Sequence, residues 1–259
     1  IGGGALLDVV GFAAATAHRG LRLVRFPTTT LAQDDSGVGV KNGINAYGKK
    51  NWLGSFAVPY GVVNDFEFLH LQSELKRREG LVEAVKVAVV KDSEFFNWIE
   101  ENLIGLSLLK SELLEACVER SAILHARHIA EGGDPFESGS SRPLDFGHWA
   151  AHKLEQLTGF ELSHAAAVGV GMALDVIYSV LSGRLSKQEG ERILQVLEGL
   201  NLATWHEALE WTGEDGVPRV AEGLEEFREH LGGCLTVLFL DGIGNPVDVN
   251  EIDFALMLE

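Results

Sequence analysis

The sequence predicts an α/β piece of a nucleotide-binding domain that is followed by an all-helical domain. Residues 1–72 are rich in glycine and contain short stretches that alternate apolar and basic residues, as β-strands do. From about residue 73 onward, apolar side chains recur at i, i+3 and i+4 with charged residues between them, which is typical of amphipathic helices. We therefore expect two domains, residues 1–72 and residues 73–259.

The composition excludes several classes of protein. The formal net charge is −17 over 259 residues, and nucleic-acid binding is not expected because it requires a basic face. Two cysteines, Cys117 and Cys234, imply no disulfide framework and favour a reducing, cytoplasmic compartment. We find no apolar run long enough to span a bilayer and no signal peptide in the opening residues, so we expect no membrane attachment.

The first domain is predicted to begin with a helix over about 5–18, directly after three glycines. LRLVRFPTT (21–29) reads as a strand, and a second short strand is expected within FAVPYGVVND (56–65). The glycine-rich stretch 34–61 is predicted to contain a long loop. Glycines before a helix can cradle a pyrophosphate, and the lysines of this loop can hold a phosphate, but a flexible turn and a solvated surface loop explain the same residues.

The second domain is predicted to contain amphipathic helices. Ser107, Ser163 and Ser186 are expected to cap helix N-termini, and Gly159 to stop a helix at its C-terminal end. The helical stretches are SELKRREGLVEAVKVAVVKD, SEFFNWIEENLIGL, LKSELLEACVERSAILHARHIAEG and LSKQEGERILQVLEGL.

Three histidines lie within the stretch LDFGHWAAHKLEQLTGFELSH (144–164). His148 and His152 are four residues apart and share a helix face. A break at Gly159 would place His164 in the first turn of the next helix, where it can point back at the first one. Two histidines and a carboxylate form a three-ligand metal site with open positions, although a lone buried histidine is more often a core residue.

The motifs taken together resemble the 3-dehydroquinate synthase family of sugar phosphate cyclases. The blocks GGGALLDVVGF, PTT, LAQDDSGVGVKNGIN, GKKN, LVEAVKVAVVKD and FGHWAAH, with the histidine that follows, have the order and spacing of the family. The variants VGVKNGINAYGKKN, GDPFESGSSRPLDFGHWAAHKLE and GLEEFREHLGG are most similar to the EboD-type branch.

The resemblance implies a cytoplasmic homodimeric lyase of secondary metabolite biosynthesis that uses NAD and a divalent metal, zinc or cobalt. NAD oxidises a substrate hydroxyl, phosphate leaves by β-elimination, the hydride returns, and the released enol closes a ring by an aldol step. Glu83, His148 and His164 match the metal ligands of the family. The positions that match NAD contacts are Gly3, Gly4, Asp8, Thr28, Thr29, Leu31, Asp35 and Phe68.

The resemblance also implies a site for a sugar phosphate. Lys86 matches a lysine near the reacting hydroxyls, His152 a histidine near the departing phosphate, and Asp35 a residue at the nicotinamide. Arg19 matches an arginine that reaches the site of the neighbouring subunit. The substrate-binding positions are Arg19, Lys41, Lys50, Asn51, Lys86, Arg142, Asp145 and His152. The catalytic positions are Lys86, His152, Lys41 and Asp35.

Several positions depart from the pattern of the family. The half of the family's NAD domain that binds adenosine has no counterpart here, so we expect residues 1–72 to be part of a longer domain. Leu71 replaces a threonine, Ala165 and Ala166 replace a Gly-Glu pair, and Arg142 is displaced by one position. A family lysine that holds phosphate has no clear match in GGCLTVLFLDGIGN.

Asp145 stands where dehydroquinate synthases carry asparagine, and it bears on the substrate. A second carboxylate there repels the carboxylate of a keto acid, which favours a ketose such as sedoheptulose 7-phosphate. His152 favours the keto acid phosphate instead, because several of the ketose cyclases lack this histidine. We expect a seven-carbon sugar phosphate, with the ketose slightly favoured.

Two other classes of function share these features. A metal-dependent polyol or alcohol dehydrogenase would have the same architecture, but the lysine-rich loop and Glu83 argue against it. A non-catalytic protein that binds NAD or a metal is also compatible with the missing lysine and with the pair Ala165 and Ala166.

Overall fold

A computed structural model describes residues 1–47, 49–132, 143–230 and 233–257. Arg142 and the side chain of Lys50, two predicted substrate contacts, lie outside the described residues. The helices and strands are, in chain order, α1 (Gly4–Thr16), β1 (Val24–Arg25), β2 (Lys41–Ala46), β3 (Lys49–Phe56), β4 (Gly61–Val62), α2 (Glu67–His70), α3 (Glu74–Lys91), α4 (Ser93–Glu101), α5 (Leu103–Ser107), α6 (Ser111–Glu131), α7 (His148–Leu157), α8 (His164–Leu181), α9 (Lys187–Gly199), α10 (Glu222–His230), β5 (Val237–Gly242), β6 (Asn245–Val249) and α11 (Phe254–Met257).

The chain divides into two compact units. The first contains Ile1–Ala84 and Leu108–Ser138, and the second contains Val85–Ser107 and Gly139–Glu259. The division falls inside α3, which is one continuous helix, so this helix contributes residues to both units.

The first unit combines α1 and α6 with two small sheets. Strands β1 and β4 pair in parallel, and β2 and β3 form an antiparallel hairpin. The predicted first helix is confirmed, whereas only two residues of each predicted strand pair in a sheet.

The long loop predicted over 34–61 is wrong, because it contains the β2–β3 hairpin. Gly43 pairs with Gly54 in this hairpin, and glycine is a weak strand former, so the local sequence did not indicate strands. A buried contact supports the hairpin instead. The Arg25 guanidinium donates hydrogen bonds to the Asn42 side chain on β2 and to the carbonyl of Gly39, the latter at 2.7 Å.

The second unit is mainly helical, as predicted. The Ser163 and Ser186 hydroxyls each accept a backbone N–H in the first turn of α8 and α9, at 3.2 Å, so both predicted caps are confirmed. Gly159 has a left-handed φ of 61° just after α7, as expected of a helix stop. Ser107 is not a cap, because it is the last residue of α5.

A hairpin that the helical pattern did not predict closes the second unit. Strands β5 and β6 pair antiparallel, and the side chains of Val237, Leu238, Phe239 and Leu240 are buried. The ring of Phe239 lies 4.6 Å from that of Tyr178 on α8, measured between centroids. The strand is therefore stabilised by packing on a helix that is distant in sequence.

Helix α8 is the central helix of this unit. Among the described residues it is the one helix long and apolar enough to cross a membrane by length and composition, which corrects the expectation that no apolar run has that length. Because 67% of it is buried inside the protein, the same features are those of a core helix.

Helices α7 and α8 approach each other at the backbone. Gly147, which precedes α7, has a left-handed φ of 76°. A Cβ added at Gly171 of α8 would lie 2.0 Å from the carbonyl oxygen of Gly147, and one added at Gly147 would lie 2.6 Å from the nitrogen of Met172. The backbones of the two segments can approach this closely only because neither Gly147 nor Gly171 carries a side chain.

We predict that Gly171→Ala lowers the free energy of unfolding by about 3 kcal/mol, because the new methyl group overlaps backbone that has no room to move. Urea unfolding followed by circular dichroism measures this change. Gly61→Ala is the control, since nothing lies within 4 Å of a Cβ added there, and it should change stability by less than about 0.5 kcal/mol. Equal effects of the two substitutions would contradict the close helix contact.

Candidate functional site

The three histidines of the sequence motif form a cluster. His148 is the first residue of α7, His152 lies one turn later, and His164 is the first residue of α8. The ring centroid of His148 lies 5.5 Å from those of both His152 and His164, and the latter two are 6.1 Å apart. The chain therefore turns back after Gly159 as the sequence predicted, and it brings the three imidazoles together.

Helix α3 supplies two charged side chains in an otherwise apolar stretch. Glu83 and Lys86 are 0% and 1% exposed, and they lie three residues apart on the same side of the helix. One ligand atom from each of Glu83, His148 and His164 lies within 4.8 Å of the other two. A carboxylate and two imidazoles at this spacing are a donor set that suits zinc or cobalt.

The His148 ring is held with one nitrogen available. Its Nδ1 lies 3.1 Å from the carbonyl oxygen of Phe146, and because a carbonyl only accepts, Nδ1 carries the proton. Burial lowers the pKa of His148 well below its usual value, and the nearby charge of Lys86 and the imidazoles of His152 and His164 lower it further. The imidazole is therefore neutral, with Nε2 as the free electron-pair donor that metal binding requires.

His164 is oriented by a carboxylate. Its Nδ1 lies 3.1 Å from Oε2 of Glu155, which is buried in α7. Histidines that bind metals commonly donate their second ring N–H to such a group, which fixes the tautomer. Sequence reasoning missed Glu155, although His148, His152 and Glu155 have the i, i+4, i+7 spacing of one helix face.

A second buried carboxylate, Asp175 on α8, holds the beginning of α7. Its Oδ2 accepts the backbone N–H of Gly147 and its Oδ1 accepts the indole N–H of Trp149, both at 2.7 Å. Burial raises the pKa of Asp175 to about 7, against the lowering effect of these two hydrogen bonds. Sequence reasoning missed this residue too, and the signal was a single acid within the apolar stretch HAAAVGVGMALDVIYSVL.

Lys153 also belongs to α7, directly after His152, but its charge is engaged elsewhere. Its Nζ lies 2.5 Å from Glu222 and 2.9 Å from Glu226, both on α10. Although burial acts in the opposite direction, these two carboxylates raise the pKa of Lys153. This lysine therefore fixes α10 on the back of α7.

The predicted pyrophosphate turn is compact and lies in the first unit. Gly2 exchanges backbone hydrogen bonds with the segment after β1, accepting from Thr28 N at 3.0 Å. A Cβ added at Gly3 would lie 3.1 Å from Thr29 Cγ2, and one at Gly4 would lie 2.8 Å from Ser36 Oγ. The structure thus brings Gly3, Gly4, Thr28 and Thr29 together at the N-terminus of α1, where backbone N–H groups favour anions.

Four further predicted NAD contacts are distributed over the same unit. Asp8 lies on α1 near Arg25, whose pKa burial lowers and the Asp8 charge raises. Leu31 precedes a π-helical turn, Ala32–Ser36, and Phe68 is half-buried in α2. Asp35 lies in that turn, and its Oδ1 is 2.9 Å from Nδ1 of His125 on α6, a buried partner that sequence reasoning did not identify.

The β2–β3 hairpin carries the predicted phosphate contacts. Lys41 is exposed at the start of β2. The Oδ1 of Asn51 would lie 3.4 Å from a Cβ added at Gly43, two residues after Lys41 and on the same face of the strand. Lys41 and Asn51 therefore share one face of the hairpin.

Two other predicted residues lie at turns. Arg19 is exposed after α1 with a left-handed φ of 67°. Asp145 is half-buried in the short turn Pro143–Asp145 before α7.

Two family models match adjacent parts of the chain. The model of the 3-dehydroquinate synthase N-terminal domain matches residues 1–79, and that of the C-terminal domain matches residues 80–221. The 3-dehydroquinate synthase of Pseudarthrobacter chlorophenolicus is 31% identical over 99% of this chain and 69% of its own length. That of Teredinibacter turnerae is 34% identical over 99% of this chain and 70% of its own length.

Solved structures agree with the family models. The 2-epi-5-epi-valiolone synthase ValA of Streptomyces hygroscopicus, solved with NAD+ and Zn2+ bound, matches with a TM-score of 0.89 and 30% identity, over 99% of this chain and 70% of ValA. A 2-deoxy-scyllo-inosose synthase in complex with carbaglucose-6-phosphate, NAD+ and Co2+ matches with a TM-score of 0.80 over 96% of this chain and 68% of that one. Its 22% identity supports the fold alone.

An α/β part joined to a helical part of this kind is the fold of the sugar phosphate cyclases, so the predicted fold class is confirmed. Within that class, the chain belongs to the 3-dehydroquinate synthase family, whose enzymes are carbon–oxygen lyases that act on phosphates. The resemblance expected from the sequence motifs is thereby confirmed at the level of the family.

We predict that Asp175 makes stability depend on pH. The folded chain holds a proton on Asp175 up to about pH 7 and the unfolded chain only up to its ordinary pKa of 3.8. The penalty for burying the ionised carboxylate is therefore complete above pH 7 and decreases as the pH falls. Relative to Asp175→Asn, the protein should gain about 2 kcal/mol between pH 8 and pH 5.5 in urea unfolding. A difference that stays constant with pH would contradict this prediction.

Proposed function

We propose that this protein is a sugar phosphate cyclase that closes the carbon ring of a seven-carbon sugar phosphate, using NAD and a divalent metal, zinc or cobalt. The convergence of Glu83, His148 and His164 within 4.8 Å, in a member of this family, is the observation that carries the proposal. Lys86 and His152 lie beside the same imidazoles and complete the proposed site.

The donor set fits a divalent metal. Neutral His148 offers Nε2, Glu155 directs His164, and Glu83 adds the carboxylate that lowers the net charge of the complex. When bound, NAD accepts and returns a hydride, and the metal acts as a Lewis acid on the oxygen being oxidised.

The residues around the metal ligands are proposed to handle protons and charge. The Lys86 ammonium donates hydrogen bonds to the reacting hydroxyls, and its buried charge also keeps His148 neutral. A ring nitrogen of His152 exchanges a proton at the departing phosphate, where half-burial leaves it accessible to a ligand. Lys41 holds the phosphate from the hairpin face that it shares with Asn51, together with Lys50 and Arg142.

The first part of the chain is proposed to bind NAD. Residues 1–72 would supply the pyrophosphate turn at Gly3 and Gly4, and Asp35 would contact the nicotinamide end while His125 holds its carboxylate. Residues 73–259 would bind the metal and the substrate. Arg19, exposed on a turn, is proposed to complete the site of a second copy, which makes the active form a homodimer. We propose a cytoplasmic location on the separate ground of cysteine usage.

The substrate is proposed to be a ketose phosphate without a carboxylate, such as sedoheptulose 7-phosphate. Asp145, just ahead of His148, supports this choice because its negative charge disfavours a substrate carboxylate nearby. The relatives quoted above include 3-dehydroquinate synthases as well as a 2-epi-5-epi-valiolone synthase, so the keto acid phosphate is the competing substrate.

We predict that the protein, supplied with NAD and cobalt, releases inorganic phosphate from sedoheptulose 7-phosphate faster than from the keto acid phosphate of dehydroquinate synthases. Phosphate is measured with a coupled assay while absorbance at the NADH wavelength is followed. Because the hydride returns in every turnover, no NADH should accumulate. Accumulated NADH without phosphate would identify a dehydrogenase, and the absence of both would indicate a non-catalytic binding protein.

We predict that Asp145→Asn shifts the preference towards the keto acid phosphate, because it removes one negative charge near the proposed substrate carboxylate. The ratio of kcat/KM for keto acid over ketose should rise about tenfold, which corresponds to about 1.4 kcal/mol. Asp241→Asn, which changes the same charge at an exposed site on β5, is the control and should leave the ratio unchanged. An unchanged ratio for Asp145→Asn would refute the role given to this carboxylate.

A further inference from the structure

The two histidines of the proposed metal site differ in how their second nitrogen is held. Glu155 faces Nδ1 of His164 directly, at 3.1 Å. Nδ1 of His148 instead donates to the carbonyl of Phe146, which is an ordinary neutral acceptor. A neutral acceptor alone would orient the ring but would add less to the basicity of Nε2 than a carboxylate does.

The peptide group between Phe146 and Gly147 is engaged at both ends. Its carbonyl oxygen accepts from Nδ1 of His148 at 3.1 Å, and its N–H donates to Oδ2 of Asp175 at 2.7 Å. A carboxylate that accepts the N–H of a peptide polarises it, which makes the carbonyl of the same peptide a stronger acceptor. His148 is thus connected to a buried carboxylate through one peptide group.

The surrounding contacts keep this connection in place. Asp175 also accepts the indole N–H of Trp149, so one carboxylate holds residues on both sides of His148 in sequence. Gly147 has no side chain with which to cap α7, and its close contact with Gly171 leaves no room for one. The negative charge of Asp175 near the N-terminus of α7 performs the stabilising role that a capping side chain usually has.

We propose that Asp175 is a positioning residue for metal binding, acting on His148 through the Phe146–Gly147 peptide. Each of the two proposed metal-binding histidines then has a carboxylate that supports its second ring nitrogen. Glu155 contacts His164 itself, whereas Asp175 acts on His148 through the intervening peptide group. This inference rests on the metal site of the proposed function and adds a residue to it.

The test measures cobalt affinity by the visible absorption of bound Co2+, at pH 8, in the full chain. Asp175→Ala should weaken Co2+ binding about 10–100-fold, the usual effect of losing an outer hydrogen-bond partner of a ligand. Asp175→Asn should weaken it less, because the amide oxygen can still accept the N–H of Gly147.

A second readout does not require metal. In the metal-free protein, the proton on Nδ1 of His148 should shift upfield in the NMR spectrum of Asp175→Ala, because its acceptor carbonyl is less polarised. Asp175→Asn provides the same measurement should the alanine variant fail to fold.

Tyr178→Phe is the matched control for stability. The Tyr178 hydroxyl lies on the same helix and accepts the backbone N–H of Asp253 at 2.9 Å, so its removal also costs α8 one partly buried hydrogen bond. This variant should lose stability and keep its Co2+ affinity. Equal Co2+ affinity in wild type and Asp175→Ala, an unshifted Nδ1 proton, or equal weakening in Tyr178→Phe would each overturn the inference.

Failure of the underlying proposal would look different. Wild-type protein that binds no Co2+, or a Glu83→Gln variant that binds it as tightly as wild type, would refute the metal site itself. A different combination would refute only the role of Asp175. In that case the wild type binds Co2+ tightly, Glu83→Gln abolishes the binding, and Asp175→Ala keeps full Co2+ affinity.

Discussion

The contact between the backbones of α7 and α8 is the constraint on which the histidine cluster depends. Gly147 and Gly171 let the two helices approach more closely than any side chain would permit, and His148 and His164 begin the two helices on either side of the turn. Ser163 caps the second helix and Gly159 ends the first, so the angle of the turn is fixed locally. The imidazole geometry follows from backbone contacts that contain no functional side chain.

Helix α3 contributes charge to a region that is otherwise apolar. Residues 81–90 are all buried, and Glu83 and Lys86 are the two charged side chains among them. Burying a charge is costly unless an opposite charge or a hydrogen-bonding partner lies near it, so a folded chain retains such residues where they interact. Burial is the main cause of the lowered pKa of His148, and the charge of Lys86 lowers it further, since a second positive charge is disfavoured there.

The sequence predicted the structure best where the residue pattern within one helix is sufficient to place a side chain or a helix end. The spacing of His148 and His152, the stop at Gly159 and the cap at Ser163 depend on local chemistry, and the structure agrees with each. The β2–β3 and β5–β6 hairpins were missed because distant contacts stabilise them, a buried guanidinium in the first and the face of α8 in the second. Asp175 and His125 were missed because each acts on a residue that is distant in sequence, and no single-helix period reveals a partner on another element. Glu155 shares a helix face with His148 and His152, and it was missed because its partner His164 lies on the next helix.

The ion pairs of Lys153 have a consequence for the electrostatic field around the histidines. Glu222 and Glu226 neutralise a cation that is adjacent in sequence to His152, and they hold it on the opposite side of α7. α10 therefore neutralises a positive charge next to the histidines. If α10 were displaced, the Lys153 ammonium group would lose both carboxylate partners while remaining one residue from His152. The field at the imidazoles therefore depends on the docking of α10, whose Glu226 lies 73 residues after Lys153 in the chain.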